Sequence, residues 1–406
     1  MGGKNNIYDV LIILLIVFLI FGTLGDAFQP IRILILFLLP LAIFTSQKTK
    51  NILLINRNSL LLFFIIFLYS IISLSWSISI SKASKVIIYN IINFSVLPIF
   101  LILCLKAERP LVSIIKGWFY LFLITIPFAI YELVFDFHLP SAQSELDLYI
   151  GFGEKRKYAA ITFGNLNGYN QMMVYSLPFI FSTFFLKKTI FRFSFLPLLT
   201  IVILLCLIIT NSSRAAVICM VITLGLFLFQ KQTLVSRKLK FFFLLSLVGV
   251  VLVFFDSIFV NIVARLSNVN REAFGDSYRE EIIYSGLKAM KEGYYMGAGP
   301  GNFEPIISRY TNFGNKFDFI ASHNLFLEIG VEYGLLVLVM FICYLVNIFL
   351  KRKVSQIGQF IIVSSLLCYP ISHVISSSYF LAASTWMFLF SIQMFSIFNF
   401  KNQNIK

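Results

Sequence analysis

Charged residues are scarce in this chain. They make up 13% of its 406 residues, whereas 59% of the residues are hydrophobic and the mean hydropathy is +0.89. Soluble domains carry about a quarter charged residues, so this composition excludes an ordinary soluble protein. It predicts an all-α integral membrane protein.

Residues that could hold a metal ion or form disulfides are also few. The three histidines are far apart, and the five cysteines all fall in apolar stretches without a Cys-x-x-Cys pair. An Asp-x-Asp pair, which would mark a metal-held nucleotide sugar, is missing, and Asp136 with His138 is the nearest approach to a metal pair. We therefore expect buried cysteines, no disulfide framework, no metal site and no cofactor.

The net charge of +15 would favour nucleic-acid binding in a soluble protein. Here, however, most of the Lys and Arg residues lie in short loops between apolar segments, where they set the orientation of the chain in the membrane. We therefore expect membrane lipid rather than nucleic acid as a partner.

Apolar runs of about the 20 residues that a membrane helix needs recur along the whole chain. The first, Val10 to Phe21, is interpreted as an uncleaved span, because Gly25-Asp26-Ala27 is a poor cleavage site. About twelve transmembrane helices are predicted. Their centres lie near residues 15, 38, 68, 96, 124, 177, 201, 221, 250, 337, 363 and 388.

The distribution of positive charge predicts the orientation of these spans. More than half of the 33 Lys and Arg residues lie on the side of the two termini. The short loops of the other side hold only Arg32, Lys82, Lys85 and Arg214. By the positive-inside rule, both termini are cytoplasmic.

Two longer segments on the external side divide the chain. We predict a five-span bundle over residues 1–135, an external loop over 136–166 and spans six to nine over 167–260. A large external catalytic loop, 261–322, lies between spans nine and ten, and residues 323–406 form spans ten to twelve and a cytoplasmic tail. Within the large loop, Ile282, Ile283, Leu287 and Met290 predict an amphipathic helix.

Two arginines and a glycine cluster are candidate site residues on the external side. Arg214 follows Ser213 in a very short loop, against the charge bias of the chain; the alternative is an interfacial arginine that reaches water. Arg279, taken alone, is more often a solvated charge on a helix than a site residue. The cluster from Gly297 to Phe303 lacks the Gly-Lys-Ser/Thr of a phosphate-binding loop, and alone it predicts only a tight turn.

His323 stands where the large loop enters the tenth span. Glu328 and Glu332 follow it, four residues apart and hence on one face of an otherwise apolar helix. Two carboxylates there are costly unless they are paired or face a wet cavity. The alternative interpretation is a capped helix start with incidental acids.

Taken in order, these motifs resemble the O-antigen ligase and O-antigen polymerase superfamily. The resemblance covers about the second two-thirds of the chain, and the first five spans match only in hydropathy. Val337 departs from the pattern, since ligases often carry Gly, Thr or Tyr there; this favours a polymerase. The matching motifs are Phe163-Gly-Asn165-Leu-Asn167, Ser213-Arg214-Ala215, Arg279, Gly297-x-Gly-Pro-Gly-Asn302-Phe303, Ser322-His323-Asn324, and Glu328 with Glu332 and Gly334.

The resemblance implies a metal-independent C-type glycosyltransferase of the bacterial inner membrane, with its active site facing the periplasm. Its donor would be a glycan on undecaprenyl diphosphate, and its acceptor another glycan or lipid A–core. Arg214 and Arg279 would then stabilise the departing diphosphate, and His323 would act as a general base or as a donor to the diphosphate. The predicted substrate-binding residues are Asn165, Asn167, Ser213, Asn302, Asn324, Glu328 and Glu332.

Several functions remain open at this point. A polymerase that joins lipid-linked repeats into O-antigen or capsular polysaccharide is the first prediction, with a regulator of chain length as a candidate partner. An O-antigen ligase of lipopolysaccharide biosynthesis in the cell envelope is the alternative. The third is a non-enzymatic flippase or exporter of the same glycans, although the absence of a visible internal repeat argues against a duplicated transporter. A structural scaffold would leave the position of Arg214 unexplained.

Overall fold

A computed structural model gives the fold of most of the chain. It describes residues 6–24, 28–44, 56–139, 149–150, 154–155, 157–186, 196–211, 213–230, 269–292, 295–311, 322–350, 354–374 and 381–398. In these ranges the protein is helical, apart from a pair of two-residue antiparallel strands in which Tyr149 lies opposite Lys155. The all-α prediction is therefore confirmed for the described residues.

The helices follow the predicted apolar runs. In the first half of the chain they are α1 (Ile7–Val17), α2 (Pro30–Phe44), α3 (Arg57–Ile72), α4 (Ile80–Lys106), α5 (Pro110–Phe135) and α6 (Leu166–Ser182), with the strands β1 (Tyr149–Ile150) and β2 (Glu154–Lys155) between α5 and α6. In the second half they are α7 (Leu196–Thr210), α8 (Arg214–Phe229), α9 (Val269–Lys291), α10 (Phe303–Ile307), α11 (Leu325–Phe349), α12 (Gln356–Ser372) and α13 (Ala383–Ile397).

These helices bear on the predicted number of spans. Each predicted centre lies within one of them except the ninth, near residue 250, which falls outside the described residues. In the part of the chain that the structure describes, four candidate spans are long and apolar enough to cross a membrane: Arg57–Ser75, Ile80–Lys106, Pro110–Phe135 and Leu325–Phe349. Shorter apolar helices make up most of the rest. The total of twelve, the external loop and the division into five segments stay predictions.

Polar residues at helix starts act as N-caps, which explains why several apolar runs begin where they do. A capping side chain accepts a hydrogen bond from a backbone N–H of the first turn, a group that has no partner inside the helix. The described caps of this kind are Asn6, Ser79, Asn165, Ser213, Asn324 and Ser355.

The core lies around α4, α5, α6 and α13. In its most apolar window α4 is 78% buried, whereas the α3 segment is 28% buried, so α4 is central and α3 lies at the periphery. Trp118 of α5 is fully buried and donates a hydrogen bond to Ser391 Oγ of α13 at 3.1 Å. Of the cysteines, Cys104, Cys219 and Cys368 are buried as expected, but Cys343 is exposed on the outer side of α11.

Contacts between loops define the two ends of the bundle. At one end Asn6 Nδ2 donates to Lys106 O at 2.7 Å, and Gln393 Nε2 donates to Asn56 Oδ1 at 2.9 Å. The other end, which we call the arginine end because it holds Arg32 and Arg214, gathers the loops after α1, α3, α5, α7 and α12. Contacts there include Thr23 N to Thr162 O at 2.7 Å, Arg32 Nη2 to Leu381 O at 3.2 Å, Trp76 Nε1 to Gly297 O at 2.9 Å and Asn211 Nδ2 to Ala159 O at 2.9 Å.

These contacts agree with the charge bias about which segments lie at the same end of the bundle. Each of them joins two segments, loops or a helix end, that the bias assigns to the same side of the membrane. They do not identify the side, so the cytoplasmic position of the termini stays a prediction.

The tenth predicted span, α11, is broken at Gly334, whose φ of 83° and ψ of 171° are not helical. Residues 295–299 cross the helix at this break and take over its hydrogen bonds. Ala298 N donates to Val331 O at 2.8 Å, Gly299 N donates to Glu332 O at 3.0 Å, and Leu335 N donates to Tyr295 O at 2.9 Å. In an unbroken helix Leu335 N would instead donate to Val331 O.

Two glycines make this crossing sterically feasible. A Cβ on Gly297 would lie 2.3 Å from Glu332 O, and one on Gly334 would lie 2.5 Å from Tyr295 O. Both also have φ of +83°, a conformation that side chains other than glycine rarely adopt. The crossing of 295–299 over α11 therefore depends on glycine at both positions.

We predict that Gly334→Ala lowers the melting temperature of the purified protein, because the strained backbone alone costs about 1–3 kcal/mol and the clash adds to it. Gly225→Ala is the matched control: Gly225 lies inside α8 with open space around its Cα. That change removes a glycine from a helix and should be neutral or stabilise by up to about 1 kcal/mol. Equal melting temperatures for wild type and Gly334→Ala would contradict the account of the crossing.

Candidate active site

The glycine loop, residues 297–303, lies at the centre of the arginine end. Its three glycines, Gly297, Gly299 and Gly301, all have positive φ, between 71° and 91°. The last turn of α3 and the segment that follows it also hold this loop and the residue before it. There Trp76 Nε1 donates to Gly297 O at 2.9 Å, and Tyr69 Oη donates to Met296 O at 2.6 Å. The predicted tight turn is thus clamped between two parts of the chain.

Asn302 fastens the glycine loop to the start of α4. Its side chain is fully buried, and its Oδ1 accepts from Ser79 N at 2.8 Å. Its Nδ2 donates to Ser77 Oγ at 2.8 Å and also to the carbonyl oxygens of Gly299 and Pro300. These bonds give Asn302 a structural role in shaping the loop, and substrate binding by it stays a prediction.

The two carboxylates of α11 hold the loop segments on either side of them. Glu332 is buried, and its Oε1 accepts from Phe303 N at 3.1 Å, at the start of α10. Glu328 is also buried, and its Oε2 accepts from Ser322 Oγ at 2.6 Å. Two acids that the sequence places on one helical face therefore position the end of the glycine loop and the residue before His323.

His323 lies at a sharp bend just before α11. Its φ of +44° is uncommon for a residue with a side chain, and its side chain is half-buried. The next residue, Asn324, caps α11 by accepting from Phe326 N at 3.0 Å and Leu327 N at 3.1 Å. Strained backbone of this kind is typical of functional sites, where neighbouring structure fixes it. For His323 those neighbours are the Ser322–Glu328 bond and the Asn324 cap.

Helix packing places Arg279 at the same end as His323. Gly286 of α9 faces Leu327 of α11, and Met290 faces Gly330, so the two helices run in the same direction. Arg279 precedes Gly286 by about two turns and therefore lies near the end where α11 begins. Its side chain is exposed.

The predicted amphipathic helix is present, but its buried face is partly different. Ile282 and Met290 are buried as predicted, whereas Ile283 and Leu287 are exposed. The buried face includes Ser285, Gly286 and Ala289 instead. Small residues are selected there because Leu327 packs close to the α9 backbone.

Arg214 is the first residue of α8, and Ser213 is its N-cap, accepting from Ala216 N at 3.4 Å. The Arg214 side chain is exposed. A cation at the N-terminus of a helix is opposed by the helix dipole, by about 0.3–1 kcal/mol, so this position is unfavourable unless an anion is bound nearby. The position of Arg214 is thus unfavourable with respect to both the charge bias of the short loops and the dipole of α8.

Asn211, which the sequence analysis did not select, connects the Arg214 loop to the segment before α6. It is buried, and its Oδ1 accepts from Ala159 N at 2.9 Å. Its Nδ2 donates to Ala159 O at 2.9 Å and to Asn170 Oδ1 at 3.1 Å. The sequence signal that could have selected Asn211 is a polar residue at the end of an apolar run, three positions before Arg214.

Asn165 and Asn167 lie at the start of α6. Asn165 is its N-cap, and its Oδ1 accepts from Gly168 N at 2.9 Å. Asn167, in the first turn, is half-buried. Asn165 borders a cavity of about 350 Å³ together with Arg32 and Gln171, which the sequence analysis did not select as site residues.

The described contacts therefore assemble the predicted residues into two groups at the arginine end. One group surrounds the glycine loop and the start of α11, and it consists of Asn302, His323, Asn324, Glu328 and Glu332, with Arg279 near the same end of α11. The other surrounds the starts of α6 and α8: Asn165, Asn167, Ser213 and Arg214. Within the described ranges, the His, Cys, Asp and Glu side chains form no group of three that could hold a metal ion.

A comparison with known protein families finds a match for one segment of the chain. Residues 199–342 match a family model described as O-antigen ligase. This segment is similar to that family over part of the chain, from α7 into α11. The match confirms the resemblance to the O-antigen ligase and polymerase superfamily and supports a glycosyl-transferring membrane enzyme. A search of curated proteins finds no match for the chain.

The matched segment contains most of the candidate site. Arg214, Arg279, the glycine loop, His323 and both α11 carboxylates lie inside residues 199–342. Asn165 and Asn167 precede it. The match spans α7 to α11, so it includes both the broken helix and the segment that crosses it.

We predict that Asn302→Ala lowers the melting temperature, because it leaves Ser79 N and nearby groups without partners, at about 1–3 kcal/mol for each buried group. Asn347→Ala is the matched control, since Asn347 is exposed near the end of α11. Thermal unfolding of both purified variants in detergent measures the difference. If Asn302→Ala and Asn347→Ala had the same melting temperature, the structural role of Asn302 in holding the glycine loop would be contradicted.

Proposed function

We propose that this protein is a polymerase that joins undecaprenyl-diphosphate-linked oligosaccharide repeats into O-antigen or capsular polysaccharide at the periplasmic face of the bacterial inner membrane. The observation that carries the proposal is the family match over a segment in which Arg214, Arg279 and His323 lie at one end of the bundle. Arg214 also lies in a short loop on the side where the short loops of the chain carry few positive charges.

In the proposed reaction the acceptor hydroxyl oxygen attacks the anomeric carbon of the first donor sugar, and the bond from that carbon to the diphosphate oxygen breaks with inversion. Negative charge grows on the departing undecaprenyl diphosphate. Arg214 and Arg279 supply the compensating positive charge, because a guanidinium group binds phosphate oxygens through two parallel hydrogen bonds. No step of the proposal requires a metal ion.

His323 takes part in one of two ways. As a general base it accepts the proton of the acceptor hydroxyl; as a protonated donor it binds the diphosphate. Its fixed bend supports either role, because a group that is held in place loses little freedom when the substrate binds. Glu328 and Glu332 serve as positioning residues, since each accepts a hydrogen bond from a loop segment beside the site.

An O-antigen ligase is the second candidate, and the family description favours it. A ligase uses the same donor but transfers the finished polymer to lipid A–core. Val337, buried in α11, supports the polymerase, because ligases often carry Gly, Thr or Tyr at this place. The two candidates differ only in the acceptor.

The test is a glycan gel and an extract of lipid-linked glycans from cells that lack the gene, complemented with wild type or with variants. A polymerase predicts surface lipid that carries one repeat and no ladder. A ligase predicts bare core with long chains on undecaprenyl. An unchanged profile in a strain that makes the polymer would contradict both and favour a transporter.

Variants in the same strain test the site. We predict that Arg214→Ala, Arg279→Ala and His323→Ala each lose the ladder, since removing one group that stabilises transition-state charge typically costs 10²- to 10³-fold in rate. Arg309→Ala is the matched control: Arg309 is an exposed arginine that follows α10 in the same loop. Normal ladders from properly expressed Arg279→Ala would overturn the site assignment.

A further inference from the structure

The cavity beside Arg32 lies at the arginine end, between the end of α1, the start of α2, the start of α6 and the start of α13. Its volume of about 350 Å³ falls in the lower range of small-molecule sites, which is about 300–1,000 Å³. Its polar lining includes Gln29, Arg32, Asn165, Gln171 and Ser384. It is therefore a recess at the predicted membrane boundary with both polar and apolar walls.

Arg32 brings a buried positive charge to this cavity. Its side chain is 5% exposed and is fixed on two sides. Nη2 donates to Leu381 O at 3.2 Å, and the guanidinium carbon lies 3.8 Å from the centre of the Tyr89 ring. A cation–π contact of this length fixes the plane of the guanidinium group. Charges buried at the membrane are costly and mark functional sites by default.

Gln171 supplies a second, independent observation. Its side chain is 4% exposed and lines the cavity, and among the described residues its Nε2 atom has no hydrogen-bond partner. Buried amide groups are nearly always paired, so an orphaned donor at a cavity wall indicates a ligand that accepts the bond. On the same wall, the Oδ1 atom of Asn165 caps α6, which leaves its Nδ2 group as the part that can reach a ligand.

We propose that this cavity binds an anionic, oxygen-rich group, a phosphate or a carboxylate, of the lipid-linked glycan. The guanidinium of Arg32 and the amide nitrogens of Gln171 and Asn165 are all donors, so they select an acceptor, and the charge of Arg32 selects an anion. That the anion belongs to the glycan substrate rests on the proposed function.

The cavity is linked to the proposed transfer site through adjacent residues. Asn170 precedes Gln171 in α6 and accepts from Asn211 Nδ2 at 3.1 Å. Asn211 lies three residues before Arg214. An anion in the cavity would therefore hold one part of the substrate while another part lies at Arg214. Arg32 and Gln171 are binding residues in this account, and no bond of the substrate breaks beside them.

The test measures anion binding to the purified full-length protein by calorimetry and by melting temperature, at matched ionic strength. Three probes are used: inorganic diphosphate, glucuronate and neutral glucose. We expect at least one anion to bind more tightly than glucose. Arg32→Ala should weaken that binding at least tenfold, and Gln171→Leu should weaken it severalfold. Arg309→Ala should leave it unchanged. Binding of diphosphate alone would identify a phosphate as the ligand, and binding of glucuronate alone an acidic sugar.

The inference is overturned if neither anion binds more tightly than glucose, or if the binding is unaffected by both Arg32→Ala and Gln171→Leu. If Arg32→Ala fails to fold, the anion binding of Gln171→Leu and Arg32→Lys tests the inference instead. Gln171→Leu removes only an amide group. Arg32→Lys keeps the positive charge but loses the planar guanidinium group that binds an anion through two hydrogen bonds. Arg214→Ala separates this inference from the proposed function: it should lose glycan transfer and retain the part of the anion binding that Arg32→Ala weakens. Normal transfer by Arg214→Ala would refute the transfer site and leave the cavity standing.

Discussion

The crossing of residues 295–299 over the break in α11 is the interaction on which the candidate site depends. A helix that breaks at the depth of a membrane exposes backbone N–H and C=O groups, and each of these must find a partner inside the protein. Here the partners come from residues 295–299, through Ala298 N, Gly299 N and Tyr295 O. The loop and the broken helix therefore stabilise each other, and neither can take this conformation alone.

Everything around the glycine loop follows from that crossing. With residues 295–299 fixed on α11, Phe303 N reaches the buried carboxylate of Glu332, and Asn302 reaches the start of α4. One turn earlier in α11, Glu328 holds Ser322 and so sets the approach to His323. Glu328 and Glu332 thus accept hydrogen bonds from the loop segments on either side of α11, which accounts for the burial of two carboxylates in an otherwise apolar helix.

The positive charges at the arginine end have unequal surroundings. Lys82 pairs with Glu304 at 2.9 Å, which accounts for its position. Arg32 is buried against a tyrosine ring beside a polar cavity, and Arg214 lies at the unfavourable end of a helix dipole. A large anionic substrate would stabilise both arginines at once. For this electrostatic reason, the proposed function places a lipid-linked diphosphate at this end of the bundle.

Hydropathy was enough to place the apolar helices among the described residues, and the pattern of Ser213-Arg214, Arg279 and His323 was enough to indicate the resemblance to the family. The spacing of Glu328 and Glu332 also predicted their common face. Long-range contacts could not be predicted, because the meeting of Gly297 with Gly334, or of Asn302 with Ser79, leaves no periodic signal in either segment. For the same reason the buried face of α9 was partly wrong: its small residues are explained only by Leu327, which lies on another helix.

Hydrogen exchange at the crossing tests the central claim most directly. In the full-length protein in a lipid nanodisc, the amides of Ala298, Gly299 and Leu335 should exchange as slowly as those in the middle of α4, because all three are hydrogen-bonded across the break. Exchange of these amides at the rate of an open loop, with α4 still protected, would show that the loop is not fixed on the broken helix and would contradict this account of the site.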